Sequence, residues 1–76
     1  MDQVRNGHMN DYVEAGDFEN VKRLYNERGY VSVRALEIAT NNDHYEIAKF
    51  IIDIMTEDQK KFFAQDVKNF EQKFYQ

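Results

Sequence analysis

The chain has 76 residues, with 14 acidic and 10 basic side chains and a net charge of −4 at pH 7. This length suits one domain, residues 1–76, and leaves no room for a second. There is no cysteine, which excludes disulfides and thiolate metal sites. The net charge has the opposite sign to the one that attraction to nucleic acid or anionic lipid requires. We therefore expect no nucleic-acid partner.

No part of the chain is apolar enough for a membrane span or a secretion signal. The apolar run of Phe50, Ile51 and Ile52 is as long as any, whereas a spanning helix needs roughly 18 such residues. No apolar core follows the first residues, as a signal peptide would require. We expect no membrane contact and a cytoplasmic location, in the host cytoplasm if the gene is viral.

Glycines and an aspartate mark the ends of the first two predicted helices. The first helix begins near Asp2 or Gly7 and ends at Gly16. Asp17 follows at a position where its carboxylate is able to accept hydrogen bonds from the first N–H groups of the next helix. That second helix spans roughly residues 18–28, and the glycine after it suits the C′ position.

Two further helices follow, each preceded by a polar residue that is able to cap it. Ser32 caps the third helix, which ends near Asn41. Asp43 and Glu46 form an acidic version of the capping box for the fourth helix. The apolar residues of this fourth helix make the most regular helical stripe in the chain. They are Ile47, Ala48, Ile51, Ile52 and Met55.

The last predicted helix spans about residues 57–75 and opens with a capping box formed by Thr56 and Gln59. No proline occurs, and no alternation of apolar and polar residues is long enough to predict a strand. The chain is therefore predicted to be all-α, with about five short antiparallel helices joined by tight turns. Four phenylalanines are expected in the core, namely Phe18, Phe50, Phe63 and Phe70.

Two segments align with a register of 27 residues. Residues 16–24 and 43–51 match at aromatic, glutamate, lysine and aliphatic positions, as repeated helix-turn-helix units would. The second copy resembles an ankyrin repeat, and the first copy is similar to one from Gly16 to Gly29. The matching positions of the second copy are Leu36, Ala39, His44, Glu46, Lys49 and Ile51.

The resemblance implies two shortened repeats, at about 9–29 and 35–55, and a capping helix at about 57–75. The chain departs from the family in its register of 27, because the usual period is about 33. The finger between repeats is therefore expected to shrink to residues 30–32. Asp43 replaces the turn glycine of the family. A generic five-helix bundle is the alternative architecture.

The resemblance also implies where a partner would bind. Tyr30 lies at the tip of the shortened finger, where ankyrin-like proteins contact their partners, and tyrosine is a frequent binding hot spot. Positions equivalent to the family's variable, concave-facing set are occupied by Arg34, Glu37, Ile38 and Asn41. The alternative for these four residues is an ordinary solvated helix face.

Side chains suited to catalysis or metal binding are few. Ser32 is the only serine and is explained by its capping position. No glycine-rich phosphate loop occurs, and the two histidines, His8 and His44, are too few for a metal site by themselves. The resemblance instead gives His44 a structural role, a hydrogen bond between neighbouring turns. We expect no enzymatic activity, no catalytic residues, no cofactor and no metal.

We therefore expect a small protein–protein interaction module, an inhibitor or adaptor that binds a host protein. A composition rich in Asn, Ile, Lys, Phe and Tyr, without Pro, Trp or Cys, is typical of an AT-rich genome and indicates a viral or phage gene. One alternative is a regulatory homodimer formed through the C-terminal helix, with Phe74 and Tyr75 as its seam. Others are a small helix-turn-helix DNA-binding protein, with the helix after Asp43 in the major groove, and an acidic mimic of nucleic acid.

Overall fold

A computed structural model describes residues 8–75, and within them the chain forms six helices. The predicted all-α class is confirmed. The expected start of the first helix, near Asp2 or Gly7, lies outside the described residues. None of the helices in this range is both long and apolar enough to cross a membrane. The helices are α1 (Met9–Ala15), α2 (Phe18–Arg28), α3 (Val33–Asn41), α4 (Tyr45–Ile54), α5 (Glu57–Phe62) and α6 (Ala64–Phe74).

The end of α1 and both ends of α2 lie where the sequence predicts them. Gly16 ends α1 in a left-handed conformation with φ of 76°, which glycine adopts more readily than other residues. The Asp17 side chain then accepts a hydrogen bond from the Asn20 N–H at 3.3 Å and caps α2. α2 ends at Gly29, which is also left-handed. Local backbone chemistry therefore fixes this first helix pair.

The caps predicted for α3 and α4 are wrong, although both helices are present. Ser32 precedes α3, but its side chain makes no capping hydrogen bond. Asp43 adopts a left-handed φ of 64°, and the residue that precedes α4 is His44, whose side chain does not cap the helix either. Asp43 therefore takes the conformation of a C′ residue after α3 and is not in position to begin a capping box with Glu46.

The predicted last helix is divided in two. Its capping box is confirmed, because the Gln59 N–H donates to Thr56 Oγ1 at 3.1 Å and the Thr56 N–H donates to Gln59 Oε1 at 2.9 Å. Phe63 then leaves the helical conformation, with φ of −111° and ψ of 37°, and separates α5 from α6. The bend lets α6 pack on α3 and α4 and bury Phe70. Tertiary packing thus overrides the local preference for one long helix.

The core lies around α3, which contacts α1, α4 and α6, while α2 contacts α1 and α4. Of the four phenylalanines expected there, only Phe70 is fully buried. Phe18 and Phe50 are half-buried at the edge of the core, whereas Phe63 packs on Phe62 with ring centroids 4.9 Å apart. The buried apolar residues are Met9, Val13, Val21, Leu24, Ala35, Leu36, Ala39, Ile47, Ala48, Ile51 and Phe70.

Candidate binding surface

Tyr30 lies in the loop that joins α2 to α3. Gly29 precedes it, and the position that a Cβ would occupy on Gly29 has no atom within 4 Å. Tyr30 itself is 63% exposed and contributes to the walls of two clefts. An exposed tyrosine offers a large rigid contact area and a hydroxyl group at a low cost in side-chain entropy. Of the partner-binding residues that the sequence predicted, Tyr30 therefore offers the largest exposed aromatic surface.

One of the two clefts, which we call the Tyr30 cleft, is lined by aliphatic and aromatic side chains together with polar groups. It lies where the α2–α3 loop meets the end of α4 and the start of α5. Sequence reasoning missed it, because its walls come from elements that are distant along the chain. Met55 was the available signal, since it ends the apolar stripe of α4. The lining residues are Tyr25, Gly29, Tyr30, Val31, Ile51, Ile54, Met55, Thr56 and Gln59.

The predicted α3 residues share one helix face. Arg34, Glu37 and Asn41 are exposed, while Ile38 is half-buried and packs against the core. Arg34 Nε lies 3.9 Å from Glu37 Oε1, and the two side chains are 73% and 54% exposed. Such a solvated pair contributes little to stability, so both groups are free to exchange partners. The α3 face thus presents paired charges, an amide and part of one isoleucine.

His44 joins the α3–α4 turn to the end of α1. Its Nε2 donates a hydrogen bond to the backbone carbonyl of Glu14 at 3.0 Å, which connects the α3–α4 turn to the end of α1. The acceptor belongs to the last turn of α1, so this bond links an inter-helix turn to a helix end, and the ankyrin-like role that the resemblance implies for His44 stays a prediction. The imidazole also lies against Gly16, because a Cβ built on that glycine would be 2.8 Å from the His44 Cε1. These two contacts give His44 a structural role between the helix pairs.

An aromatic cluster holds α6 against the start of α4. The Tyr45 ring stacks on Phe70 at 5.8 Å between centroids and meets Phe74 edge-on at 5.3 Å. Lys73 Nζ pairs with the Asp43 carboxylate at 3.0 Å, close to the same junction. Phe74 is half-buried by these contacts. The C-terminal aromatics therefore seal the end of the helix stack.

Tyr75 completes this cluster at the surface. Its hydroxyl lies 3.4 Å from the Tyr45 hydroxyl, and the ring remains 56% exposed. The hydrogen bond with Tyr45 is the main cause that raises the pKa of Tyr75, with smaller contributions from desolvation and from nearby acidic groups, among them Asp53 and Glu71. The raised pKa means that the folded chain keeps the Tyr75 phenol protonated to a higher pH than the unfolded chain does.

The surface of α4 bears on the helix-turn-helix alternative. In that interpretation the first turn of α4, with Tyr45 and Glu46, would face DNA. The only basic residue of α4 is Lys49, and its Nζ is 3.1 Å from the Asp53 carboxylate. Base-edge reading usually employs Arg, Lys, Asn or Gln, and phosphate contacts need positive charge. The exposed side of α4 has no Arg, Asn or Gln, and its one lysine is paired with Asp53. The chemistry of this helix therefore does not favour the DNA-binding alternative.

Comparison of the chain with protein-family models, with curated proteins and with solved structures finds no match. Within the described range, no group of three or more His, Cys, Asp or Glu side chains is arranged to hold a metal ion. Any proposal for function therefore depends on the surface just described.

Proposed function

We propose that this chain is an ankyrin-like module that binds a partner protein through Tyr30, the Tyr30 cleft and the exposed face of α3, and acts as an inhibitor or adaptor of that partner. The observation that carries the proposal is Tyr30, 63% exposed beside a cleft that has both apolar and polar walls. Binding energy at protein interfaces concentrates in such aromatic anchors and the pockets around them.

The surface has the composition of a binding patch with a polar border. Tyr30, Val31 and Met55 offer apolar area at the cleft. Arg34 and Glu37 offer one charge of each sign on α3. A matching partner would insert an apolar or aromatic side chain into the cleft and present a complementary pair of charges to α3. The charges would select the partner more than they would strengthen its binding.

Support for the ankyrin-like part of the proposal comes from the two inter-helix turns. The α1–α2 and α3–α4 turns have matching hydrogen bonds at the 27-residue register, and His44 connects the α3–α4 turn to the end of α1. The contacts of α1 with α3 and of α2 with α4 suit stacked helix pairs, and α6 covers α3 and α4 as a terminal cap would. We place the activity in the cytoplasm, of a host cell if the gene is viral.

The test is a pull-down from lysate of the native host, read by mass spectrometry. Wild type is compared with Tyr30→Ala/Arg34→Ala, in which both altered side chains are largely exposed. Surface substitutions of this kind change the free energy of unfolding by about 0.5 kcal/mol or less, so the variant stays folded. The proposal expects one protein to be captured by wild type and lost by the double variant.

The matched control is Lys61→Ala/Phe62→Ala, which also removes one exposed cation and one exposed aromatic ring. It should capture the partner as wild type does. Equal capture by all three chains, or loss only in the control, would show that the predicted surface does not bind. Circular dichroism of each variant establishes that the helices are retained.

A further inference from the structure

The outer side of α5 carries the most exposed large apolar side chain of the described residues. Phe62 is 82% exposed, compared with 63% for Tyr30 and 56% for Tyr75. α5 contributes no buried residue to the core. The Phe62 ring meets only Phe63 among the described aromatic rings, edge-on at 4.9 Å. Neither the core nor the proposed binding surface accounts for this phenylalanine.

Two opposite charges share the side of α5 on which Phe62 lies. Phe62 is four residues after Asp58 and Lys61 is three residues after it, so the Asp58 side chain is a neighbour of both on the helix surface. All three are exposed. The ion pair within α5 is formed by other residues, Glu57 and Lys60, at 4.0 Å. Asp58 and Lys61 make no ion pair with any described residue.

We propose that α5 is a self-association surface that pairs antiparallel with α5 of a second copy of this chain. A two-fold axis through the middle of α5 sets Asp58 of each copy opposite Lys61 of the other, because acidic residues begin the helix and basic residues end it. Each Phe62 ring then packs over the first turn of the facing helix and leaves water. The surface is self-complementary in charge, which is why the occupant is a second copy.

This pairing is expected to be weak and independent of partner binding. The surface is one short helix of six residues, far smaller than the roughly 800 Å² per partner of a stable interface. We therefore expect a dissociation constant on the order of 0.1 mM. Phe74 and Tyr75, the seam suggested by the sequence, are not required, since both pack on Tyr45. The Tyr30 cleft touches α5 only at Gln59 and the preceding Thr56.

Sedimentation of the full chain, from about 10 µM to about 1 mM, tests the proposal with variants that reverse one charge of α5. About 0.1 M salt screens the net charge of −4 while leaving contact pairs largely intact, since the Debye length is then about 10 Å. Wild type should change from monomer to dimer across this range. Asp58→Lys should stay monomeric because lysines then face each other, and Lys61→Asp should stay monomeric because aspartates do.

The decisive sample is an equimolar mixture of these two variants. In an antiparallel pair, one chain then contributes two lysines and the other two aspartates, so the mixture should form a heterodimer at least as well as wild type dimerises. Phe62→Ala should weaken the wild-type dimer by at least about tenfold, because a largely exposed ring buries most of its area on pairing. Its exposure means that the fold is retained.

Tyr30→Ala/Arg34→Ala is the matched control and should dimerise as wild type does, which separates this proposal from the one on partner binding. A monomeric wild type at the highest concentration would overturn the proposal. So would a mixture of the charge variants that remains monomeric, or single charge variants that dimerise as wild type does.

Discussion

The α1–α2 turn and the α3–α4 turn form the same backbone motif with different side chains. In the first, the Asp17 N–H bonds to the Tyr12 carbonyl at 2.9 Å and the Gly16 N–H to the Val13 carbonyl at 3.1 Å. In the second, the corresponding bonds run from His44 to Ala39 at 2.9 Å and from Asp43 to Thr40 at 3.2 Å. Both are the paired bonds of a Schellman helix end, displaced by 27 residues.

The side chains divide two tasks between these turns. Asp17 uses its carboxylate locally, as the cap of α2. His44 occupies the equivalent position before α4, yet its ring reaches the Glu14 carbonyl at the end of α1 and leaves α4 without a side-chain cap. Gly16 leaves room for that ring, whereas Asp43 keeps the left-handed conformation with a side chain that pairs with Lys73. The same backbone motif therefore carries a local helix cap in the α1–α2 turn and a tertiary contact in the α3–α4 turn.

Gly16→Ala should break this arrangement most strongly. An alanine at this position would have an unfavourable positive φ, and its Cβ would overlap the His44 ring. We therefore expect the free energy of unfolding to fall by about 2–4 kcal/mol. The matched control is Gly29→Ala, which has nearly the same φ and open space around the Cβ, and should cost about 1–2 kcal/mol. Urea unfolding of both variants measures the difference.

A double-mutant cycle isolates the contribution of the ring. In a His44→Ala background, Gly16→Ala should cost no more than Gly29→Ala does, because the overlapping atoms are gone. An unchanged cost in that background would mean that Gly16 is needed for its backbone conformation alone.

Asp17→Ala should have the next largest effect. It removes the cap on the Asn20 N–H and the 2.7 Å bond from the Asn20 side-chain amide, so we expect a loss of about 1 kcal/mol. Asp43→Asn changes the acidic side chain of the second turn, which stands at the position of Gly16 rather than of Asp17, without removing a cap. It should cost less, about 0.5 kcal/mol, through its exposed ion pair with Lys73. Thermal and urea unfolding of both variants give the order, and the reverse order would contradict this division of roles.

His44→Asp exchanges tertiary contact for local capping. His44→Ala should destabilise by about 1 kcal/mol, because it removes the hydrogen bond to the Glu14 carbonyl. The aspartate loses the same bond but is able to cap α4 as Asp17 caps α2, which recovers about 1 kcal/mol. We therefore expect His44→Asp to be more stable than His44→Ala by urea unfolding. Equal stability would mean that the second turn does not accept a local cap.

Tyr45→Phe should have the smallest effect on the free energy of unfolding, since it removes one long hydrogen bond, the one to Tyr75. The pKa of Tyr75 is raised mainly by the Tyr45 hydroxyl, so the substitution should lower it toward its ordinary value. The folded state favours the protonated phenol. Its contribution is therefore fully present below the pKa of the unfolded chain and is lost as pH rises through the folded pKa. Phenolate absorbance during an alkaline titration measures the shift, and identical curves for wild type and Tyr45→Phe would refute it.

The sequence predicted those features that depend on nearby residues. The limits of α2 could be predicted from Gly16, Asp17 and Gly29, because a left-handed glycine and an aspartate cap act locally. The break at Phe63 has no glycine or proline to signal it, since it arises from the docking of α6 on α3 and α4. For the same reason the sequence could indicate Tyr30 but not the cleft beside it. The assignment of the α3 face stays a prediction.

The most direct test of the binding proposal is the affinity of the purified chain for the protein that it captures. Isothermal titration should give a dissociation constant at least about tenfold higher for Tyr30→Ala/Arg34→Ala than for wild type, as expected when an aromatic anchor is lost. Lys61→Ala/Phe62→Ala should bind within about twofold of wild type, since α3 and Tyr30 are intact. Unchanged affinity for the first variant would contradict the proposal that Tyr30 and the α3 face bind the partner.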